Sequence, residues 1–314
     1  MIPVRIGTRG SPLALWQANH VADRLRPFAA PRAVELVLIE TTGDVVRDRT
    51  LSQIGGEGLF TKEIQVALLA GKVDIAVHSL KDLPTTATEG LTLAAVPPRG
   101  PTGDALVSLR HPSFAALPQG AIVATSSIRR RAQVLHRRPD LQLVNIRGNV
   151  ETRLRKLAEQ NLDATILAEA GLARLGLTDH VTEVLDPSWM LPAVGQGALA
   201  LECRADDAEA IALLVDLNDA VTYRAVSAER ALLRGLGGGC QVPIGASAQV
   251  SGDTLRLRGV VLPPDGSQRI ADEVSGPAAD AEALGRRVAG MLLAKGAREL
   301  LEAAGIVIPS EVGG

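Results

Sequence analysis

Two residues in this chain could do chemistry at a fixed place: a cysteine set among glycines and a carboxylate just past an apolar run. The first, Cys240, lies in Leu236-Gly237-Gly238-Gly239-Cys240-Gln241-Val242-Pro243-Ile244-Gly245. Its glycines allow backbone angles closed to other residues and leave room beside the sulfur for a bulky group. A lone Cys in such a loop can equally be a small buried filler. The G-x-G portion follows a helical segment rather than a strand, which weakens a dinucleotide reading. The second, Asp82, lies in Val77-His78-Ser79-Leu80-Lys81-Asp82-Leu83-Pro84, just past a strand pattern. Open α/β sheets place their binding crevices at such strand ends. A carboxylate there could accept a hydrogen bond from a substrate N–H and offset adjacent positive charge. An Asp before Leu-Pro is also an ordinary turn residue, and position alone leaves the two readings level.

The third chemical group is arginine, which makes up 28 of the 33 basic residues. Thr125-Ser126-Ser127-Ile128-Arg129-Arg130-Arg131 follows one strand pattern, and Ile146-Arg147-Gly148-Asn149 with Thr152-Arg153 follows the next. Arg9 with Ser11 does the same after the first strand, and Arg174 after another. Arginine runs are ordinarily solvated faces, and a bias of this size can be compositional. Here, however, basic and hydroxyl residues recur at strand ends and helix starts, where backbone N–H groups also favour anions. Guanidinium groups bind carboxylates in planar pairs, each charged hydrogen bond being worth ~1.5–3 kcal/mol. A polycarboxylate ligand is the physical inference. No P-loop is present, which disfavours nucleotide phosphates.

The elements that must hold these residues alternate. Apolar runs predict strands near residues 4–8, 34–41, 74–78, 91–96, 121–124, 142–146, 164–168 and 198–202. Amphipathic helical patterns lie between them, one opening at Ser11-Pro12 and placing Ala14, Ala18, Val21 and Leu25 on one face. This alternation predicts α/β architecture with mainly parallel sheets. Pro97–Gly103 and Leu191–Gly197 read as two crossover linkers, so the chain is expected to leave its first domain and later return to it. The expected division is residues 1–98 and 198–217 for a first domain, 103–192 for a second and 218–314 for a smaller α+β third. In that third domain hairpins should turn at Ser251-Gly252-Asp253 and Pro263-Pro264-Asp265-Gly266. No internal sequence repeat is visible.

Composition narrows the class. At 314 residues the chain exceeds one ordinary core, and its 46% hydrophobic and 22% charged residues are those of a folded protein. No apolar stretch approaches membrane-spanning length, and the N-terminal segment lacks the features of a secretory signal, so a cytoplasmic location is expected. Two cysteines, Cys203 and Cys240, and five scattered histidines provide neither a disulfide framework nor a metal site. A net charge of −2 argues against general nucleic-acid binding. Cys203 alternates like a core strand residue.

In this order and spacing the segments resemble the porphobilinogen deaminase family. The resemblance opens at Thr8-Arg9-Gly10-Ser11-Pro12-Leu13-Ala14-Leu15-Trp16 and continues through Gly58-Leu59-Phe60-Thr61-Lys62-Glu63. It takes in the Asp82 and Arg129 segments, Arg147-Gly148-Asn149-Val150, Ala170-Gly171-Leu172-Ala173-Arg174-Leu175-Gly176 and Pro192-Ala193-Val194-Gly195-Gln196-Gly197-Ala198, and ends at the Cys240 loop. It implies two periplasmic-binding-protein-like α/β domains plus a smaller C-terminal α+β domain. The implied reaction joins four porphobilinogen molecules head to tail into hydroxymethylbilane, with release of ammonia. A dipyrromethane cofactor would be held on Cys240 by a thioether, with Lys81, Thr125, Ser127, Arg129, Arg130 and Gly148 around it. Arg9, Ser11, Arg147, Arg153, Arg174 and Gln196 would face the substrate's acetate and propionate groups. Asp82 would meet pyrrole nitrogens and stabilise the cation formed as the amine leaves. No metal is implied, and the expected partner is the small-molecule substrate of a monomer, with no nucleic acid and no membrane. One departure is Glu57, where the family commonly has Lys in a covering loop. The rival reading is a non-catalytic two-lobed binder of an anionic metabolite, which gives no role to the Cys240 loop.

Overall fold

The structure is a computed structural model that describes residues 2–45, 58–238 and 243–309. Cys240 and Glu57 lie outside the described residues. Four strands precede the first crossover: β1 (Val4–Thr8), β2 (Val34–Leu38), β3 (Ile75–Ser79) and β4 (Leu91–Ala95). Next come β5 (Asp104–Val107), β6 (Ile122–Ala124), β7 (Gln142–Val144), β8 (Ala164–Ala168) and β9 (Glu183–Val184). After the return lie β10 (Leu199–Arg204), β11 (Ile244–Ser251), β12 (Thr254–Val261) and β13 (Ile270–Pro277). By its contacts the chain divides into two compact units. One contains the chain up to Gly100 with Gly197–Tyr223, and the other Pro101–Gln196 with everything from Arg224 onward.

The first unit is built on a sheet ordered β2-β1-β3-β10-β4. β10 runs antiparallel to both its neighbours, so the other four strands are parallel to one another. Val4, Ile6, Ile75, Val77, Leu199 and Leu201 form its core with Ala18, Val21 and Leu25 of the helix Pro12–Ala29. Cys203 is buried in the same core. Burial pushes its thiol up to about 11, which keeps it protonated and unreactive at neutral pH.

The second unit repeats the plan in a sheet ordered β7-β6-β8-β5-β9, with β5 as the single antiparallel member. In each sheet the reversed strand is the one that follows a crossover linker. The mainly parallel expectation therefore holds, with one inserted exception per sheet. The strand β5 was not among the sequence-based strands, since Asp104-Ala105-Leu106-Val107 is short and begins with an acid.

A three-stranded antiparallel sheet, β11-β12-β13, also belongs to the second unit. Its hairpins turn where Gly252 and Gly266 adopt positive φ, and its buried face packs on Leu232, Leu284, Val288 and Leu292. It docks through Leu191, Val260, Leu262 and Ala132. Gly266 sits so close to the helix Ile128–Arg137 that a Cβ there would lie 2.5 Å from the Ala132 carbonyl oxygen. Among the described residues no helix is long and apolar enough to cross a membrane.

Candidate active site

In the first unit the candidate residues leave the C-terminal ends of two adjacent parallel strands. β1 and β3 pair through Ile6–Ile75 and Gly7–Ala76, so the chain after each emerges on one edge of the sheet. Arg9 and Ser11 follow β1, and Lys81 and Asp82 follow β3. The Ser11 hydroxyl oxygen accepts from the Ala14 N–H at 3.3 Å and caps the helix Pro12–Ala29. The amide of Gln17 on that helix donates to the Ser79 hydroxyl at 2.9 Å, fixing the segment just before Asp82. Asp82 ends a 3₁₀ turn, Leu80–Asp82, whose Leu80 is buried and donates its N–H to the Ala198 carbonyl at 3.0 Å. Asp82 is thus a turn residue, and the Leu83 N–H donates to the Leu80 carbonyl at 3.1 Å across the turn. Among the described residues no ion pair engages its half-buried carboxylate. Arg9 lies with its guanidinium carbon 4.2 Å from the centroid of the Phe60 ring.

In the second unit three strand ends stand side by side, since β6 pairs in parallel with both β7 and β8. Neighbouring strands lie about 4.8 Å apart, so residues following them share one patch. After β6, the Ser127 oxygen caps the helix Ile128–Arg137, and the Thr125 hydroxyl accepts from the Ser127 N–H at 3.2 Å. Ser126 clamps the neighbouring strand end by donating to the Ile146 carbonyl at 2.7 Å. After β7, Arg147 is half-buried and Gly148 has φ of 121°, where a Cβ would lie 2.5 Å from the Thr152 methyl. Asn149 caps the helix Val150–Glu159, and Arg153 donates from Nε to the Gly148 carbonyl at 2.8 Å. Arg174 closes the short helix that follows β8.

Arg129 and Arg130 are buried and converge on one residue that the sequence reading did not single out. Asp104 is fully buried; it meets Arg129 at 2.7 and 3.2 Å and Arg130 Nε at 2.8 Å. Gln196 adds a third donor at 3.0 Å and also donates to the carbonyls of Thr102 and Gly103. The reversed direction of β5 explains the meeting. Asp104 starts that strand opposite Ala168, the last residue of β8, so an acid arrives among the ends of the parallel strands. Burial opposes its ionisation, yet the two guanidinium charges hold its carboxyl well below the usual carboxylate range.

The sequence reading also passed over Glu229 and did not weigh the ring of Phe60. Glu229, fully buried, accepts from the Gly195 N–H at 2.8 Å and the Ala248 N–H at 2.9 Å, tying the returning crossover to β11. The available signal was an acid on the buried, mostly apolar stripe of the helix Ala220–Gly235.

Comparison with known proteins bears on this arrangement directly. Residues 4–212 match the family model for the porphobilinogen deaminase dipyromethane cofactor binding domain, and residues 223–294 match that for the porphobilinogen deaminase C-terminal domain. The chain is 54% identical over 299 residues to the porphobilinogen deaminase of Trichlorobacter lovleyi, covering 95% of this chain and 96% of that one. It is 55% identical over 298 residues to the enzyme of Geobacter metallireducens, covering 95% and 93%. This chain belongs to the porphobilinogen deaminase family. Members are transferase enzymes. Among solved structures, a periplasmic substrate-binding protein from Coxiella burnetii aligns over 68% of this chain and 91% of its own, at 15% identity and a TM-score of 0.43.

The family's cofactor is a dipyrromethane, and the residues of the second unit suit its anionic side groups. Two buried guanidiniums against one carboxylate leave a positive charge in excess, and among the described residues Arg129 Nε, which is buried, has no hydrogen-bond partner. Arg174 has its guanidinium pushed down to about 10 by burial, which an arriving carboxylate would reverse. The porphobilinogen deaminase match places Cys240 in the C-terminal domain, while the arginines fall in the cofactor-binding one.

Proposed function

We propose that this protein condenses four porphobilinogen molecules head to tail into hydroxymethylbilane, releasing ammonia at each step, as a cytoplasmic monomer. The observation that carries the reading is the family match along nearly the whole chain, through both the arginine-bearing segment and the Cys240 segment. The proposed domains are residues 1–98 with 198–217, 103–192 and 218–314. When bound through Cys240, the dipyrromethane supplies the pyrrole on which the chain is started.

The protein's own residues divide the remaining work by charge. Arg9, Arg147, Arg153 and Arg174 take acetate and propionate groups, each charged hydrogen bond contributing ~1.5–3 kcal/mol. Arg129 and Arg130, oriented by Asp104, offer their remaining N–H groups to the cofactor, with Lys81, Thr125, Ser127 and Gly148 beside it. Ser11 and Gln196 act through the backbone they hold, Ser11 at a helix start and Gln196 at the crossover. Asp82 takes the opposite role. A carboxylate at the strand end accepts pyrrole N–H groups and stabilises the cation that appears as the amine leaves.

Intact mass of freshly purified protein tests the reading. The expected mass exceeds the polypeptide's by one dipyrromethane, the excess persists in Cys203→Ser, and it is absent in Cys240→Ser. A bare polypeptide mass in the parent protein, with no conversion of porphobilinogen, would refute it.

A further inference from the structure

The second unit holds a cavity of about 200 Å³ to which the proposed reaction gives no role. Gln133, His136 and Arg137 line it from the helix Ile128–Arg137, Ser188 and Trp189 from the segment after β9, and Leu262 and Arg269 from the connection between β12 and β13. It therefore sits where the three-stranded sheet docks, beside the contact of His136 Nδ1 with the Gly266 carbonyl at 2.9 Å. Arg129 and Arg130 lie at the other end of the same helix, roughly 10 Å away at 1.5 Å per residue.

The walls are cationic above an apolar floor. Arg269 is half-buried, and among the described residues its buried Nε has no hydrogen-bond partner. Burial, and after it the charge of Arg258, pushes its guanidinium pKa down. Asp186, two residues before Ser188, is held below its ordinary pKa by Ser188 first and by Arg258 and Arg137 after it. Two arginines and no carboxylate line the cavity itself, so its lining carries net positive charge. A partly buried cation with an open donor is costly until an anion meets it. Gln133 exchanges hydrogen bonds with Leu191 at 2.8 and 3.0 Å, and His136 Nδ1 meets the Gly266 carbonyl. The charged donors of the lining are the guanidiniums of Arg137 and Arg269. Ordinary ligand pockets run to ~300–1,000 Å³, so this one admits only a small molecule.

We propose that this cavity binds a small dianion, a dicarboxylate or a phosphate monoester, between Arg137 and Arg269, with Trp189 and Leu262 covering its carbon skeleton. Binding there would join the helix carrying Arg129 and Arg130 to the sheet of the C-terminal domain, and so tighten their docking.

Trp189 provides the probe, because Trp16 is the only other tryptophan in the sequence. Cofactor-loaded Trp16→Phe protein is titrated with succinate, with inorganic phosphate and with glycerol 3-phosphate at constant ionic strength, following Trp189 emission. A saturable change is expected, weakened about tenfold to hundredfold in both Arg269→Gln and Arg137→Gln, the loss of one or two charged hydrogen bonds. Arg137 is exposed, so its variant is expected to fold even where Arg269→Gln does not. Saturation by succinate alone assigns a dicarboxylate, and by the phosphates alone a phosphate ester. No saturable change with any of the three, or equal affinity in the Arg137→Gln variant, overturns the proposal.

Discussion

Replacing Asp104 by Asn should unfold the second unit well before the first. The wild-type carboxylate is fully buried and compensates two buried guanidiniums at 2.7–3.2 Å. Asparagine keeps one acceptor oxygen but no charge, so both arginines remain desolvated and uncompensated. Removing one partner of a buried ion pair costs about 3–5 kcal/mol. In a unit of this size each kcal/mol lowers Tm by about 2–4 °C, so a fall of at least roughly 6 °C is expected at pH 7. The pH dependence has a definite sign. The folded pKa of Asp104 is depressed, so its contribution is fully present above its unfolded value near about pH 4 and is lost as pH falls through the folded value. The Tm gap between wild type and Asp104→Asn should therefore be constant above pH 4 and shrink below it. Calorimetry across pH 3–7 reads both quantities. A gap under about 2 °C at pH 7, or one that does not narrow in acid, would show that Asp104 does not carry the charge balance argued for it.

Three further outcomes follow from the same geometry. Asp82→Asn should lower kcat by about two to three powers of ten, equivalent to ~2.7–4 kcal/mol, with Tm near wild type, while Asp82→Glu retains more activity; single-turnover rate and melting on one cofactor-loaded preparation separate this from a purely turn-forming role. Arg174→Leu should raise KM about tenfold to hundredfold, the loss of one or two charged hydrogen bonds to the substrate. A drop in Tm with unchanged KM would reassign Arg174 to structure. Gly148→Ala should lose about 1–3 kcal/mol of stability from strain at φ of 121° and the close Thr152 methyl, and a melting curve unchanged within error would contradict that.

What could be read from the sequence was what local physics decides. Val4–Thr8 and Ala164–Ala168 were legible as strands because each is an apolar run buried largely on both faces. The start after Ser11 was legible because a capping side chain answers the first free N–H groups within three residues. The doubled sheet plan was not, since it resides in strand order and in the reversed strand after each crossover. Neither leaves a repeated residue pattern.

The Arg129-Arg130-Arg131 run shows where local reading stops. Its residue types allowed two answers, a solvated face or a ligand site, and the structure adds a third. Arg129 and Arg130 turn inward to Asp104, 25 and 26 residues upstream, while Arg131 donates to the Leu143 carbonyl at 2.9 Å. No window around the arginines contains that acid. It is brought to them only because β5 enters the sheet backwards, which places the first residue of one strand beside the last residue of another. The charge that orients the proposed cofactor-binding arginines is therefore a product of topology, and the linker preceding β5 is as much a part of the site as the arginines themselves.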